Sequence, residues 1–327
     1  MRFDQQWHLK NTGQTGNWGY AGTPGADIGA EAAWKTTRGA GVRMAIIDHG
    51  FDVHHPDLAS AFTDASGCFR DLSDDAVLVQ GLANYPSPAD SHGTFCAGLA
   101  FGVANQADLI AIACLKDHVG TQETLARAIA YAAEAGADVI SCSLGPNERD
   151  GSWRMTSTLR DAIDFAVNQG RGGRGTPVFW AVNDYPVPIA PDEVLSYPHV
   201  IAVGKSNRLD QADNSAFGPE LDFLATGSDV HSTLKNGKYI QSSGTSFAAP
   251  VAAGVAALVL SVCPELSWQE VRQILRDTCD KIGGPGVVYG PEGRHDHYGF
   301  GRINAARAVA LARQASRRTV SEQGSQR

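Results

Sequence analysis

The sequence predicts an α/β fold in which a parallel β-sheet is sandwiched between helices. Short, nearly continuous apolar runs recur at residues 42–48, 109–115, 138–144, 177–182 and 200–204, and strands that are apolar on both faces belong to sheets covered on both sides. Between them lie segments 122–135 and 156–169. Their residues Leu125, Ile129 and Ala132, and Leu159, Ile163 and Ala166, repeat at helical spacing. Alternation of strand and helix in this manner is the pattern of a parallel sheet with helical crossovers.

Taken in order, residues 1–40 are loop-rich with a short helix at 30–36. The first strand, 42–48, ends on the carboxylate of Asp48, and in open parallel sheets ligand chemistry gathers beyond the carboxyl ends of strands. The polar, acidic stretch 63–90 reads as surface loop with one short strand at 76–79. Segment 91–98 starts a small-residue helix with His92 at its head. Gly136 and Gly170 follow the next two helices, where glycine commonly ends a helix. Residues 221–238 read as a hairpin-rich segment. Gly244-Thr245-Ser246 then turns into a long apolar helix of small residues, with Pro250 expected in its first turn, where a missing N–H costs little. Ser267 and Glu270 form a capping-box pattern for a helix over 267–278. A last helix is expected at 303–314, and the polar residues 316–327 are expected to be a disordered tail. With no internal repeat or linker, one domain over 1–315 is the economical division.

Composition narrows the function classes. The 327 residues are 43% hydrophobic and 19% charged, as in an ordinary globular protein. A formal net charge of −8 opposes binding to phosphate backbones, so no nucleic-acid partner is expected. No run approaches the roughly 18 apolar residues of a membrane span, so no membrane partner is expected. No charged start followed by an apolar core marks a signal peptide, which predicts a cytoplasmic chain, or a secreted one if a precursor segment is missing. The six cysteines show no paired Cys-x-x-Cys spacing, so no metal site is expected from them. Cys114 and Cys142 sit in apolar runs and read as buried free thiols.

Three residues stand out for chemistry. Ser246 sits at a helix N-terminus, where developing negative charge is stabilised, and a serine hydroxyl becomes a useful nucleophile only with a base beside it. His92 and Asp48 supply a base and a carboxylate. Each also has an ordinary reading: a turn serine, a core histidine, a strand-end cap. The order of the motifs decides between them. Ile46-Ile47-Asp48-His49-Gly50, then His92-Gly93-Thr94, then Gly244-Thr245-Ser246-Phe247-Ala248-Ala249-Pro250 resembles the subtilisin-like serine proteases. Residues 197–204, 217–261 and 298–308 follow the family pattern closely, and 6–13 is similar to the start of the catalytic domain in kexin-type members.

The resemblance implies a subtilisin-like three-layer architecture and a serine endopeptidase acting on peptide or protein substrates. Ser246 would be the nucleophile, His92 the general base and acid, and Asp48 the group that orients His92. Asn183, in Trp180-Ala181-Val182-Asn183, takes the place of the family's oxyanion-hole asparagine. Val182 replaces the usual glycine and is expected to reshape the specificity pocket. Ser143, Leu144 and Gly145 resemble one substrate-binding edge, and Gly120 and Thr121 the opposite one, between which an extended peptide would add a strand. Glu148 and Asp150 echo the acidic loop of kexin and furin that selects basic side chains, with Arg149 between them offsetting their field; an exposed solvated loop is the plainer reading. Asp57 matches one ligand of the family's calcium site. The Asn-rich loop that completes the site has no counterpart at 101–106, so that site is expected to be absent, no cofactor to be required, and calcium binding to be weak and elsewhere. Cys96, one turn after His92, is expected to underlie the catalytic histidine. Secreted relatives carry a pro-segment, so a pro-segment or inhibitor outside this chain is an expected partner. Two other readings share the same residues: a catalytically weak peptide-binding homologue, and an acyl transferase using the same nucleophile.

Overall fold

The computed structural model describes residues 3–17, 19–68, 90–115, 120–145 and 153–324. Seven strands form one parallel sheet in the order β2-β3-β1-β4-β5-β6-β7, made by β1 (Arg43–Asp48), β2 (Gly67–Cys68), β3 (Asp108–Ala113), β4 (Val139–Cys142), β5 (Val178–Ala181), β6 (Val200–Ser206) and β7 (Leu221–Thr226). The central strands are buried along nearly their whole length, as their apolar runs require. A separate antiparallel hairpin pairs β8 (Val230–Leu234) with β9 (Lys238–Ser242).

Helices cover both faces. After the short α1 (Ala30–Ala33), helix α2 (Asp90–Val103) lies between β2 and β3 in the chain. Helices α3 (Gln122–Glu134) and α4 (Ser157–Gln169) follow β3 and β4. Side chains of α2 pack into one hydrophobic cluster with α5 (Thr245–Val262), whereas α3 and α4 build the cluster on the opposite face. The steps β2 to β3, β3 to β4 and β4 to β5 run the same way across the sheet, yet α2 lies on the face opposite α3 and α4, so the crossover through α2 has the opposite hand to the two that follow it. Strands β1 and β4 are neighbours across this change of face, and open α/β sheets bind ligands at the carboxyl ends of such strands.

Two caps come out as their residues dictate. Thr121 caps α3, its side chain accepting the N–H of Thr124. Ser267 and Glu270 close a reciprocal capping box on α6 (Trp268–Asp277). Helix α5 is the one described helix long and apolar enough to cross a membrane, and its apolar window is 83% buried inside the fold.

Several expectations change. The segment read as hairpin-rich contributes β7 to the main parallel sheet, and only 230–242 forms a hairpin. Pro250 is not in the first turn of α5 but is its sixth residue. The last helix, α7 (Ala305–Gly324), continues well into the segment expected to be disordered, because its Ala, Arg and Gln residues are good helix formers. Thr63–Gly67 leads into the unanticipated edge strand β2 through the N–H of Thr63, which bonds Leu109 O at 2.9 Å. The strand expected at 76–79 lies outside the described residues.

Candidate active site

Strand β1 delivers Asp48 to the sheet's carboxyl edge, fully buried. Its Oδ1 lies 2.7 Å from His92 Nδ1 and accepts the backbone N–H of His49 at 2.7 Å. A carboxylate only accepts, so Nδ1 of His92 is the donor and Nε2 remains as the acceptor of the ring. Burial pushes the Asp48 carboxyl up, but the neighbouring His92 outweighs it and holds the group below the usual range. Burial likewise pushes His92 down, and the Asp48 charge reverses that and lifts the imidazole well above the ordinary histidine value. The Phe247 ring, 5.6 Å from His92 and 4.3 Å from Phe95, confines the imidazole from the side of α5.

Ser246 is the second residue of α5. The helix cannot bond its carbonyl oxygen in the regular way, because the donor four residues on is Pro250, which has no N–H. Ser143, just past β4, donates its hydroxyl to that oxygen at 2.7 Å, and Cys96 Sγ lies 3.4 Å from it. Cys96 Sγ is also 3.8 Å from His92 Nδ1. Burial pushes the Cys96 thiol up to about 11, and Asp48 adds to the shift, so it is a packed thiol beneath the site. Five described cysteines, Cys96, Cys114, Cys142, Cys263 and Cys279, are buried and free.

Beyond β5, Val182 and Asn183 face the same place. Thr245, first residue of α5, donates its hydroxyl to Val182 O at 2.5 Å and its N–H to Asp184 Oδ1 at 2.8 Å. Lys205 Nζ, on β6, reaches the same Asp184 oxygen at 2.7 Å. Asn183 is thereby clamped on both sides to the start of the helix bearing Ser246. The Asn183 side-chain oxygen accepts the N–H of Tyr185 at 3.0 Å. Asp184 stands next to Asn183 in the sequence and Lys205 lies in an apolar strand, so their pairing carries no local signal.

His92, Ser246, Asn183, Ser143, Leu144, Gly145 and Val182 line one cleft of about 530 Å³. Trp180 Nε1 fixes one rim by donating to Leu144 O at 2.6 Å. Val182 is almost fully buried and joins the apolar cluster under the cleft. Gly120 and Thr121 are not among the residues lining this cleft: Gly120 is exposed and Thr121 is engaged as the cap of α3, while Leu115 reaches the cleft instead. Glu148 and Asp150 lie outside the described residues. His49, buried against His92 with ring centroids 5.1 Å apart, and Glu193 are cleft residues that the sequence did not single out.

Asp48, His49 and His92 offer donor atoms within 4.8 Å of one another, the one such group among the described residues. The hydrogen bond between Asp48 and His92 already uses two of those atoms. Asp57 lines a separate cavity of about 1000 Å³ that shares no lining residue with the cleft, together with Lys10, Lys35, Arg38 and Asn105. Its Oδ2 accepts the Tyr239 hydroxyl at 2.7 Å, and Asn105 Oδ1 accepts from Arg38 at 3.3 Å. Gln6, Asn11, Asp27 and Glu31 line the same cavity, so amide and carboxylate oxygens of the kind a hard cation takes stand there beside the three cationic side chains.

Comparison with known proteins identifies the family. The chain is 37% identical to a calcium-dependent protease of Nostoc sp. (strain PCC 7120 / SAG 25.82 / UTEX 2576), over 98% of this chain and 53% of that protein. It thus spans about half the length of such relatives. It is 32% identical to thermitase of Thermoactinomyces vulgaris, over 86% of this chain and 93% of thermitase. Among solved structures, a protease from Pseudoalteromonas arctica PAMC 21717 superposes with a TM-score of 0.74 at 26% identity, covering 95% of this chain and 98% of that one. Residues 39–301 match the profile of the subtilase family, and the chain belongs to that family of subtilisin-like serine proteases.

Proposed function

We propose that the chain is a serine endopeptidase that cleaves peptide bonds through an acyl-enzyme on Ser246. The observation that carries this reading is the 2.7 Å bond from His92 Nδ1 to the buried Asp48, in the same cleft as Ser246 and Asn183. A peptide lies extended along the rim formed by Ser143, Leu144 and Gly145. Ser246 Oγ attacks the scissile carbonyl carbon while His92 Nε2 takes its proton, and Asp48 stabilises the imidazolium. Charge developing on the carbonyl oxygen is met by the Asn183 side-chain amide and the Ser246 N–H at the positive end of α5. As the C–N bond breaks, His92 returns the proton to the leaving amine. A water deprotonated by His92 then attacks the ester, and the acid product leaves with Ser246 regenerated.

In this reading none of these steps requires a cofactor. Relatives named calcium-dependent proteases make calcium binding plausible in this chain.

The reading is tested with a fluorophosphonate probe. Labelling of the wild-type chain that disappears in Ser246→Ala supports it, and labelling that persists in that variant, or never occurs, contradicts it.

A further inference from the structure

The cleft extends beyond Asn183 to Trp153, Trp180, Tyr185 and Glu193. Glu193 is only 7% exposed, and among the described residues it has no ion-pair partner. Its backbone bridges that of Arg154, and Arg154 and Arg160 line a separate cavity on its far side, yet neither guanidinium forms an ion pair with it. The nearby Glu220 adds negative charge, and its buried Oε2 has no hydrogen-bond partner. Burial above all, opposed by a hydrogen bond from the Ala190 backbone and reinforced by Glu220, pushes the Glu193 carboxyl up to about 7. A buried carboxylate of this kind is costly when alone and gains strongly when a cation arrives. The indole of Trp153, half-buried and backed by the fully buried Trp180 with ring centroids 6.3 Å apart, offers apolar and π surface in the same cleft. Such walls accept the methylene stem of a long basic side chain and attract its charged head.

We propose that Glu193 is the specificity residue of the cleft, and that it receives a lysine or arginine side chain from the residue before the cut. This assignment rests on the serine peptidase reading. It is independent of the acidic loop at Glu148 and Asp150, because Glu193 reaches the cleft from the segment between β5 and β6. Ammonium and guanidinium heads both meet the carboxylate, and the fork of arginine matches its two oxygens.

The test is kcat/KM on peptide p-nitroanilides that differ only in the residue before the cut: Arg, citrulline, Lys, norleucine, Leu and Phe. Citrulline keeps the shape of arginine without its charge. The wild-type chain is expected to favour Arg over citrulline, and Lys over norleucine, by about 100-fold, as for a desolvated charge pair. In Glu193→Gln both ratios are expected to fall to within a few-fold of unity. Each ratio is taken within one preparation, so a reduced folded fraction cancels. Where Glu193→Gln does not fold, inhibition of the wild type by benzamidine but not by benzyl alcohol serves as the second measurement. Wild-type preference for Leu or Phe, ratios unchanged in Glu193→Gln, or equal inhibition by the two compounds overturns the assignment and leaves the peptidase reading standing. Turnover of no substrate together with no fluorophosphonate labelling of Ser246 overturns the peptidase reading, and the assignment with it.

Discussion

The hydroxyl of Ser143 donates at 2.7 Å to the carbonyl oxygen of Ser246, the acceptor that Pro250 leaves open within α5. The end of β4 thus supplies a bond that the helix cannot make for itself. Removing the hydroxyl in Ser143→Ala leaves only the weaker Cys96 contact on a largely buried oxygen, at a cost of about 1–3 kcal/mol. Urea denaturation should show that loss, and kcat should fall more than KM rises because Ser246 shifts. Pro250→Ala supplies an N–H at the right position. The Ser143→Ala penalty should therefore shrink in that background, and a double-mutant cycle measures the coupling.

Asp184 holds the other side of the cleft, taking Thr245 N–H at 2.8 Å and Lys205 Nζ at 2.7 Å on one oxygen. Asn183→Ala removes the donor itself and should lower kcat by about 10²–10³ with KM little changed. Asp184→Ala leaves Asn183 in place but frees it from α5, so a smaller loss of kcat is expected. An unchanged kcat in Asn183→Ala would place the oxyanion elsewhere.

In the proposed mechanism the lifted His92 imidazole sets the acid limb of activity. His92 must be neutral to accept the Ser246 proton, so kcat/KM should fall as pH drops through a value above the ordinary 6.5. Asp48→Asn removes the charge responsible. It should move the limb to lower pH and reduce kcat by about 10⁴. A pH–rate profile on both proteins checks the direction.

His8 is fully buried with neither ring nitrogen hydrogen-bonded, and burial, with His231 nearby, lowers its pKa to about 3. The unfolded chain takes up the proton near 6.5 while the folded one does not. The folded state therefore loses stability as pH falls below 6.5, by up to about 1.4 kcal/mol per pH unit down to about 3. His8→Leu should flatten that slope in chemical denaturation measured between pH 7 and 4.5.

The fold was legible where burial leaves a continuous apolar run, as at Arg43–Asp48 and Asp108–Ala113. Leu221–Thr226 escaped because Asp222 interrupts its pattern. That carboxylate is buried and held by Arg272 at 2.8 Å and Arg276 at 2.6 Å, a compensation made across the fold by α6. Asp48, His92 and Ser246 were legible as motifs; the structure bonds His92 to Asp48, sets His92 and Ser246 on one cleft, and directs Ser246 Oγ to Ser143 O at 3.5 Å. The clamp of Lys205 on Asp184 was not, since it joins residues on different elements by side-chain geometry alone. Glu193 gave no signal for the same reason: nothing in its Pro-rich neighbourhood announces that it lines the cleft.

Pre-steady-state hydrolysis of a p-nitrophenyl ester tests the central claim most directly. An acyl-enzyme on Ser246 predicts a burst of p-nitrophenol approaching one equivalent per chain, with a matching mass adduct on Ser246, and the loss of both in Ser246→Ala. A burst of the same size in Ser246→Ala, or wild-type turnover with no adduct on Ser246, would contradict it.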